Sequence, residues 1–150
     1  MSLDEVRCEL GSWAELGTEA HTIRTVVFVG EQGVAAELEV DGRDGPSLHV
    51  LVRDPSGRAI ATGRLLPDGH VGRMAVLAEA RGQGVGAMAL KALVDAARRR
   101  GDPVLRLNAQ KDAVRFYERH GFRPAGEPFM EAGIRHHPMS LDLEGLQDLA

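Results

Sequence analysis

The sequence predicts a mixed α/β fold, an antiparallel meander followed by a βαβ unit. Three observations set that class. Residues 48–77 carry three apolar runs separated by tight-turn signals. A glycine-rich turn, Arg81-Gly82-Gln83-Gly84-Val85-Gly86, then parts an apolar run from a stripe of helical period. One more apolar run, 104–108, follows that helix directly, so strand, helix and strand form a parallel pair with a crossover.

The elements follow in order. Residues 6–10 are a short strand candidate, with Cys8 expected as a small core residue on it. Ser12 and Glu15 have capping-box spacing. Leu16, Ala20, Ile23 and Val27 recur at helical spacing, so a first helix should run to about Phe28 and stop at Gly30 and Gly33. Residues 31–46 lack periodicity and read as a loop, with or without a helical turn. The loop holds Glu31, Glu37, Glu39, Asp41 and Asp44 against one base, Arg43. It is either a solvated acidic loop or a surface that attracts a cationic substrate such as an amine.

Residues 48–52, 59–66 and 70–77 are the meander strands, joined by Asp54-Pro55-Ser56-Gly57 and Pro67-Asp68-Gly69. Ala87, Leu90, Val94 and Ala97 mark the buried stripe of a helix starting near Gly82. Arg98, Arg99 and Arg100 suit its negative end, and Gly101 stops it. Ala113, Phe116, Tyr117 and His120 share one face of a shorter helix ended by Gly121. Residues 126–129 and 134–143 are candidate strands around a loop carrying Glu131, with His137 expected to face solvent. Residues 144–150 read as a final helical turn.

Composition bounds the function. The 150 residues suffice for one core, so 1–150 is expected to be a single domain. The net charge of −4 argues against broad nucleic-acid binding. No apolar run approaches membrane-spanning length, and MSLDEVRCEL lacks a basic region followed by an apolar run. A cytoplasmic protein with no membrane or nucleic-acid partner is the expectation. Cys8 is the single cysteine and has no metal spacing around it, so no metal is expected.

The chemistry gathers at the glycine turn. Glycine admits dihedrals that a Cβ forbids, so several N–H groups can face one concavity with a helix N-terminus behind them. That is an anion cradle, suited to phosphate. A Walker loop would end in Gly-Lys-Ser/Thr, but Gly86 is followed by Ala87 and Met88. A Rossmann fingerprint would open the fold, and this turn comes midway.

Residues beyond the turn carry a resemblance. Arg81, Gly84 and Gly86 match the pyrophosphate loop Arg/Gln-x-x-Gly-x-Gly/Ala of the GCN5-related N-acetyltransferases (GNAT family). Gln110, Ala113, Tyr117, Gly121 and Phe122 match a later motif of the family, with Gln110 where Asn is usual. The chain resembles the ElaA/YjcF-like branch more closely still. The matching words are Val27-Phe28-Val29, Glu31-Gln32-Gly33-Val34, Glu39-x-Asp41-x-x-Asp44, Ala61-Thr62-Gly63-Arg64-Leu65 and Glu131-Ala132-Gly133-Ile134-x-His136.

The resemblance implies the acyl-CoA N-acyltransferase fold, whose central strands, here 70–77 and 104–108, splay apart to admit acetyl-CoA as co-substrate. It implies a pyrophosphate on the N–H groups of Arg81, Gly82, Gln83, Gly84, Val85 and Gly86. The pantetheine arm would pair like an added strand along Met74, Ala75 and Val76. Asn108, Gln110, Ala113 and Phe116 complete the implied CoA site. Tyr117 sits at the family's general-acid position, and a phenol is protonated at neutral pH. The implied reaction is direct attack of an amine of a small molecule or peptide on the thioester. The central strand lacks the carboxylate that some members use as base. Glu31, His49, Glu131 and His136 remain candidates, directly or through water, and with Gln32 they form the expected acceptor-binding set. Homodimers are frequent in the family, so a homodimer is one expected state. The competing class is a module that binds acyl-CoA without turnover. A nucleotide-phosphate enzyme is a third reading.

Overall fold

The computed structural model describes residues 5–144. Residues 145–150, most of the expected last helical turn, lie outside them.

Strand β1 (Arg7–Gly11) leads into helix α1 (Trp13–Arg24). The Ser12 cap is formed as expected. Its hydroxyl accepts from the Glu15 N–H at 3.2 Å, and Glu15 accepts from the Ser12 N–H at 2.9 Å. The helix does not stop at Phe28. It widens into a π-helix over Thr25–Glu31, whose Gln32 N–H reaches the Val27 carbonyl. One helical turn, α2 (Ala36–Glu39), interrupts the following loop.

Strands β2 (Leu48–Arg53), β3 (Ala59–Leu65) and β4 (Val71–Val76) extend β1 into a four-stranded antiparallel sheet of order β1-β2-β3-β4. Helix α3 (Val85–Arg100) ends at Gly101, whose φ of 88° lets its N–H return to the last turn. Next come β5 (Val104–Gln110), α4 (Val114–Arg119), β6 (Arg123–Pro124), β7 (Phe129–Glu131) and β8 (Ile134–Asp142). The strand expected at 126–129 is displaced: its pairing with β8 runs over Phe129–Glu131. β8 pairs β5 on one edge and β6 and β7 on the other, making a second antiparallel sheet.

The first sheet is covered on both faces, which is why β3 is buried throughout. On one face Leu16, Ala20, Ile23 and Val27 pack on Leu51, Ala75 and Leu77. On the other, Ala89, Leu90, Leu93 and Ala97 of α3 pack on Val50, Val52, Ala61 and Leu65. That second cluster continues onto Leu105, Leu107, Met139 and Leu141 of the other sheet, so α3 spans both. Cys8 lies on β1 as expected but is exposed rather than part of the core, because β1 is an edge strand.

Among the described residues the backbones of the two sheets are joined by one parallel bridge, His70 with Arg106, where the Arg106 N–H donates to the Gly69 carbonyl at 3.0 Å. Beyond it β4 and β5 diverge, and β4 itself is bent. Thr62 pairs Ala75 while Arg64 pairs Gly72, so β4 carries one extra residue opposite Gly63. Such a bulge bends a strand and leaves a residue out of the ladder. Arg73 takes the strain, with φ at 49° in the left-handed region. Gly63 permits it: a Cβ there would collide with Met74 Sδ.

Candidate active site

The divergence of β4 and β5 opens a cavity of about 750 Å³. Met74, Ala75 and Val76 line one side and Asn108, Gln110 and Ala113 the other, with Tyr117 in the wall between the sheets. Glu31 and Gln32 from the π-helix, and Glu131 and His136 from the β7–β8 hairpin, close the remaining sides.

The glycine turn stands at the end of this cleft. Gly82 and Gly84 have φ of 77° and 82°, and Gly84 is the N-cap of α3. The first intrahelical bond runs from Met88 N–H to the Gly84 carbonyl at 3.2 Å. The N–H groups of Val85, Gly86 and Ala87 therefore emerge from the helix end without intrahelical partners. Gly86 differs from the other two. It is helical, and a Cβ on it would meet Val76 Cγ2 at 3.5 Å and the Phe116 ring at 3.8 Å. It serves close approach between strand, helix and ring rather than an unusual dihedral. Gly82 through Gly86 and Phe116 lie outside the cavity wall proper, and the Val85 side chain is core.

Arg81 makes two contacts that sequence alone does not show. Its Nε donates to the Val76 carbonyl at 3.0 Å, and its Nη2 bonds both carboxylate oxygens of Glu31. Across the cleft the Gln110 amide donates to Gln32 Oε1 at 2.9 Å. The end of the π-helix is thus tied to both rims.

Tyr117 is buried, and burial pushes its hydroxyl up to about 12. Phe116 and Phe122 meet its ring edge-on at 5.1 and 5.8 Å. Among the described residues the hydroxyl has no hydrogen-bond partner.

His49 is placed elsewhere. It is buried beneath Trp13, ring centroids 4.9 Å apart, with Nε2 3.0 Å from the Asp44 carbonyl. Burial pushes its imidazole pKa down, and it does not line the cavity. His137 does not face solvent, since its Nε2 is buried without a partner.

The acidic loop is also revised. Glu39 and Asp44 are buried on Arg24, with Asp44 at 2.7 and 3.1 Å. Arg64 donates to Asp41 at 2.9 and 3.0 Å and to Asp44 at 3.1 Å. Arg73 reaches the Glu39 carbonyl at 3.0 Å and Asp41 at 3.3 Å. Glu39, Asp41 and Asp44 are thus neutralised by arginines of α1, β3 and β4, and Glu31 is paired with Arg81, which leaves the exposed Glu37 as the remaining acid of the loop. Burial pushes the Asp41 and Asp44 carboxyls up, but the arginine bonds outweigh it and hold both below the usual range. Arg64 was part of a family-like run with no role attached to it, and nothing in the amino-acid sequence marks Arg73 as the bulge residue.

A cleft between two strands that part after one bridge, ending at a glycine turn on a helix N-terminus, defines an acyl-CoA N-acyltransferase architecture. Residues 23–143 match the acetyltransferase (GNAT) domain family, and the chain belongs to that family. It is 41% identical over 128 residues to YjcF of Bacillus subtilis (strain 168), an uncharacterized N-acetyltransferase, covering 83% of this chain and 91% of that protein. An acyl-CoA N-acyltransferase from Pseudomonas aeruginosa superposes with a TM-score of 0.79 at 31% identity, covering 91% of this chain and 99% of that one. Escherichia coli ElaA superposes with a TM-score of 0.78 at 27% identity over the same shares, 91% and 99%. The chain is an ElaA/YjcF-like member of the family and, at that level, an acetyltransferase. Among the described residues no helix is long and apolar enough to cross a membrane.

Proposed function

We propose that this protein transfers an acetyl group from acetyl-CoA to a primary amine of a small molecule or peptide, by direct attack within a ternary complex. The observation that carries this reading is the free edge of β4 at Met74–Val76, opening beside the N–H groups of Gly82–Ala87 and facing Tyr117. Diphosphate charge suits the turn, because backbone N–H groups and the helix dipole both favour an anion there. An extended amide chain suits the strand edge, because its peptide groups need partners.

In this reading a backbone N–H near Met74–Val76, beside the bulge, meets the oxyanion that forms on attack. Tyr117 donates to the departing sulfur. Its raised pKa keeps it a phenol throughout the working range, and the same desolvation makes a thiolate more demanding of a proton. Arg81 must leave the Val76 carbonyl if the pantetheine amide is to take it.

Thiol release from acetyl-CoA across a panel of amines tests the proposal. Release dependent on one amine class supports it. Tight acetyl-CoA binding with no release by any amine would favour a binding module, and calorimetric binding of ATP but not CoA would favour a nucleotide enzyme.

A further inference from the structure

Of the four carboxylates and imidazoles that could accept the amine's proton, two are otherwise engaged. Both oxygens of Glu31 are on Arg81, and His49 is buried outside the cavity. Glu131 and His136 remain, at the two arms of the β7–β8 hairpin.

We infer that His136 is the general base, an assignment that rests on the acyl-transfer reading above. Its Nδ1 lies 2.8 Å from the Ile134 carbonyl. A carbonyl can only accept, so the ring proton sits on Nδ1 and the neutral ring carries its lone pair at Nε2. Phe129 stacks on the ring, centroids 5.7 Å apart and 19° between planes, which restrains its rotation. In the β5–β8 register His136 stands opposite Gln110, so the two share a sheet face with Asn108, and all three line the cavity. Tyr117 belongs to the core cluster on the opposite face, with Leu107 and Ala109. Base and acid therefore approach from opposite sides of β5, one toward the amine and the other toward the sulfur.

Glu131 has the complementary task. Among the described residues it has no ion-pair partner, and it lines the same cavity. It holds the ammonium before the proton leaves. The other ionisable groups on the cavity wall have side-chain partners: Glu31 with Arg81, Asp41 with Arg64 and Arg73, Glu39 with Arg24, and Arg43 and His70 with Asp68. The protons balance as follows. The ammonium gives one to His136 Nε2, which passes it to water. The neutral amine attacks, the C–N bond forms and the C–S bond breaks. Tyr117 gives its proton to sulfur, and the second proton, released as the amide forms, restores it.

His136→Asn tests this, because the Asn amide keeps an N–H for the Ile134 carbonyl while removing Nε2. We expect kcat/KM to fall by about 100-fold or more and its acidic limb to vanish, with acetyl-CoA affinity by calorimetry unchanged. Turnover within about threefold of the parent, with the limb retained, would overturn the assignment. Glu131→Gln should raise KM for the amine and keep the limb, and loss of the limb in that variant would move the base to Glu131. Heteronuclear NMR of the parent imidazoles should show His136 protonated at Nδ1 near neutral pH. The Nε2–H tautomer would refute the proposal without any variant. A parent protein that binds acetyl-CoA but releases no thiol with any amine overturns the acyl-transfer reading, and the base with it.

Discussion

Tyr117 is the proposed acid because of its surroundings. Apolar rings on two sides and burial hold its hydroxyl protonated, with no protein acceptor among the described residues to occupy it. Tyr117→Phe removes the hydroxyl and keeps the rings packed. We expect kcat to fall by about 100-fold while acetyl-CoA binding stays within about threefold, read by steady-state kinetics beside calorimetry. Unchanged turnover would make the residue structural. Tyr117 was legible in the sequence because it is the one tyrosine and lies within a spaced motif. Arg73 was not, since the left-handed conformation is rare for a side chain and follows here from Gly63 across the ladder and from Glu39 and Asp41 holding the guanidinium. His49 misled because a histidine on a buried strand reads the same whether it faces a cleft or, as here, a carbonyl and an indole.

Among the elements, the unit of β4, turn and α3 was the most legible. Its glycines, apolar period and Gly101 stop are all local signals, and they gave the helix to within a turn at its start. Gly84→Glu tests the unit. A side chain at φ 82° is strained, by roughly 1–2 kcal/mol, and the carboxylate would stand where an anion is expected. We expect a folded protein by circular dichroism that has lost measurable CoA binding. Retained binding would refute the cradle. The π-helix was not legible. A 3.6-residue period describes 16–27 adequately, and no residue type announces the wider turn that follows. Yet that turn sets where Glu31 and Gln32 meet Arg81 and Gln110. The β7 strand was misplaced for a related reason: it is three residues long and is defined by its pairing with β8 rather than by its own pattern.

Across the whole molecule, the charges under the α2 loop join α1, β3 and β4 in one buried network. Arg24→Met would leave Glu39 and Asp44 short of their partner. Breaking a buried pair in this way costs about 3–5 kcal/mol, so thermal unfolding should begin on the order of 10 °C lower. The network also has a pH signature. Asp41 and Asp44 have folded-state pKa values below their ordinary 3.8, so their contribution is complete above that value and lost as pH falls through the depressed ones. We expect the unfolding temperature to drop as pH goes below about 4, and to drop less steeply in Asp41→Asn from a lower neutral plateau. A parallel shift at every pH would show that Asp41 does not carry the effect. Which acids pair with which arginines was illegible in sequence, because partners such as Arg24 and Asp44 lie on elements that only the fold brings together.

The single bridge between the sheets has a mechanical meaning. A continuous ladder fixes neighbouring strands at about 4.8 Å, but among the described residues no backbone bond past His70 and Arg106 sets the spacing of β4 and β5. The backbone N–H groups of Asn108 and Gln110 fall on the same edge as that of Arg106, by the two-residue period, and look into the gap. Among the described residues the two strands share one hydrogen bond, while α3 packs against both sheets. If the cleft takes an acyl-CoA as proposed, a wider acyl group past that bridge would have no β4–β5 hydrogen bond to break among the described residues.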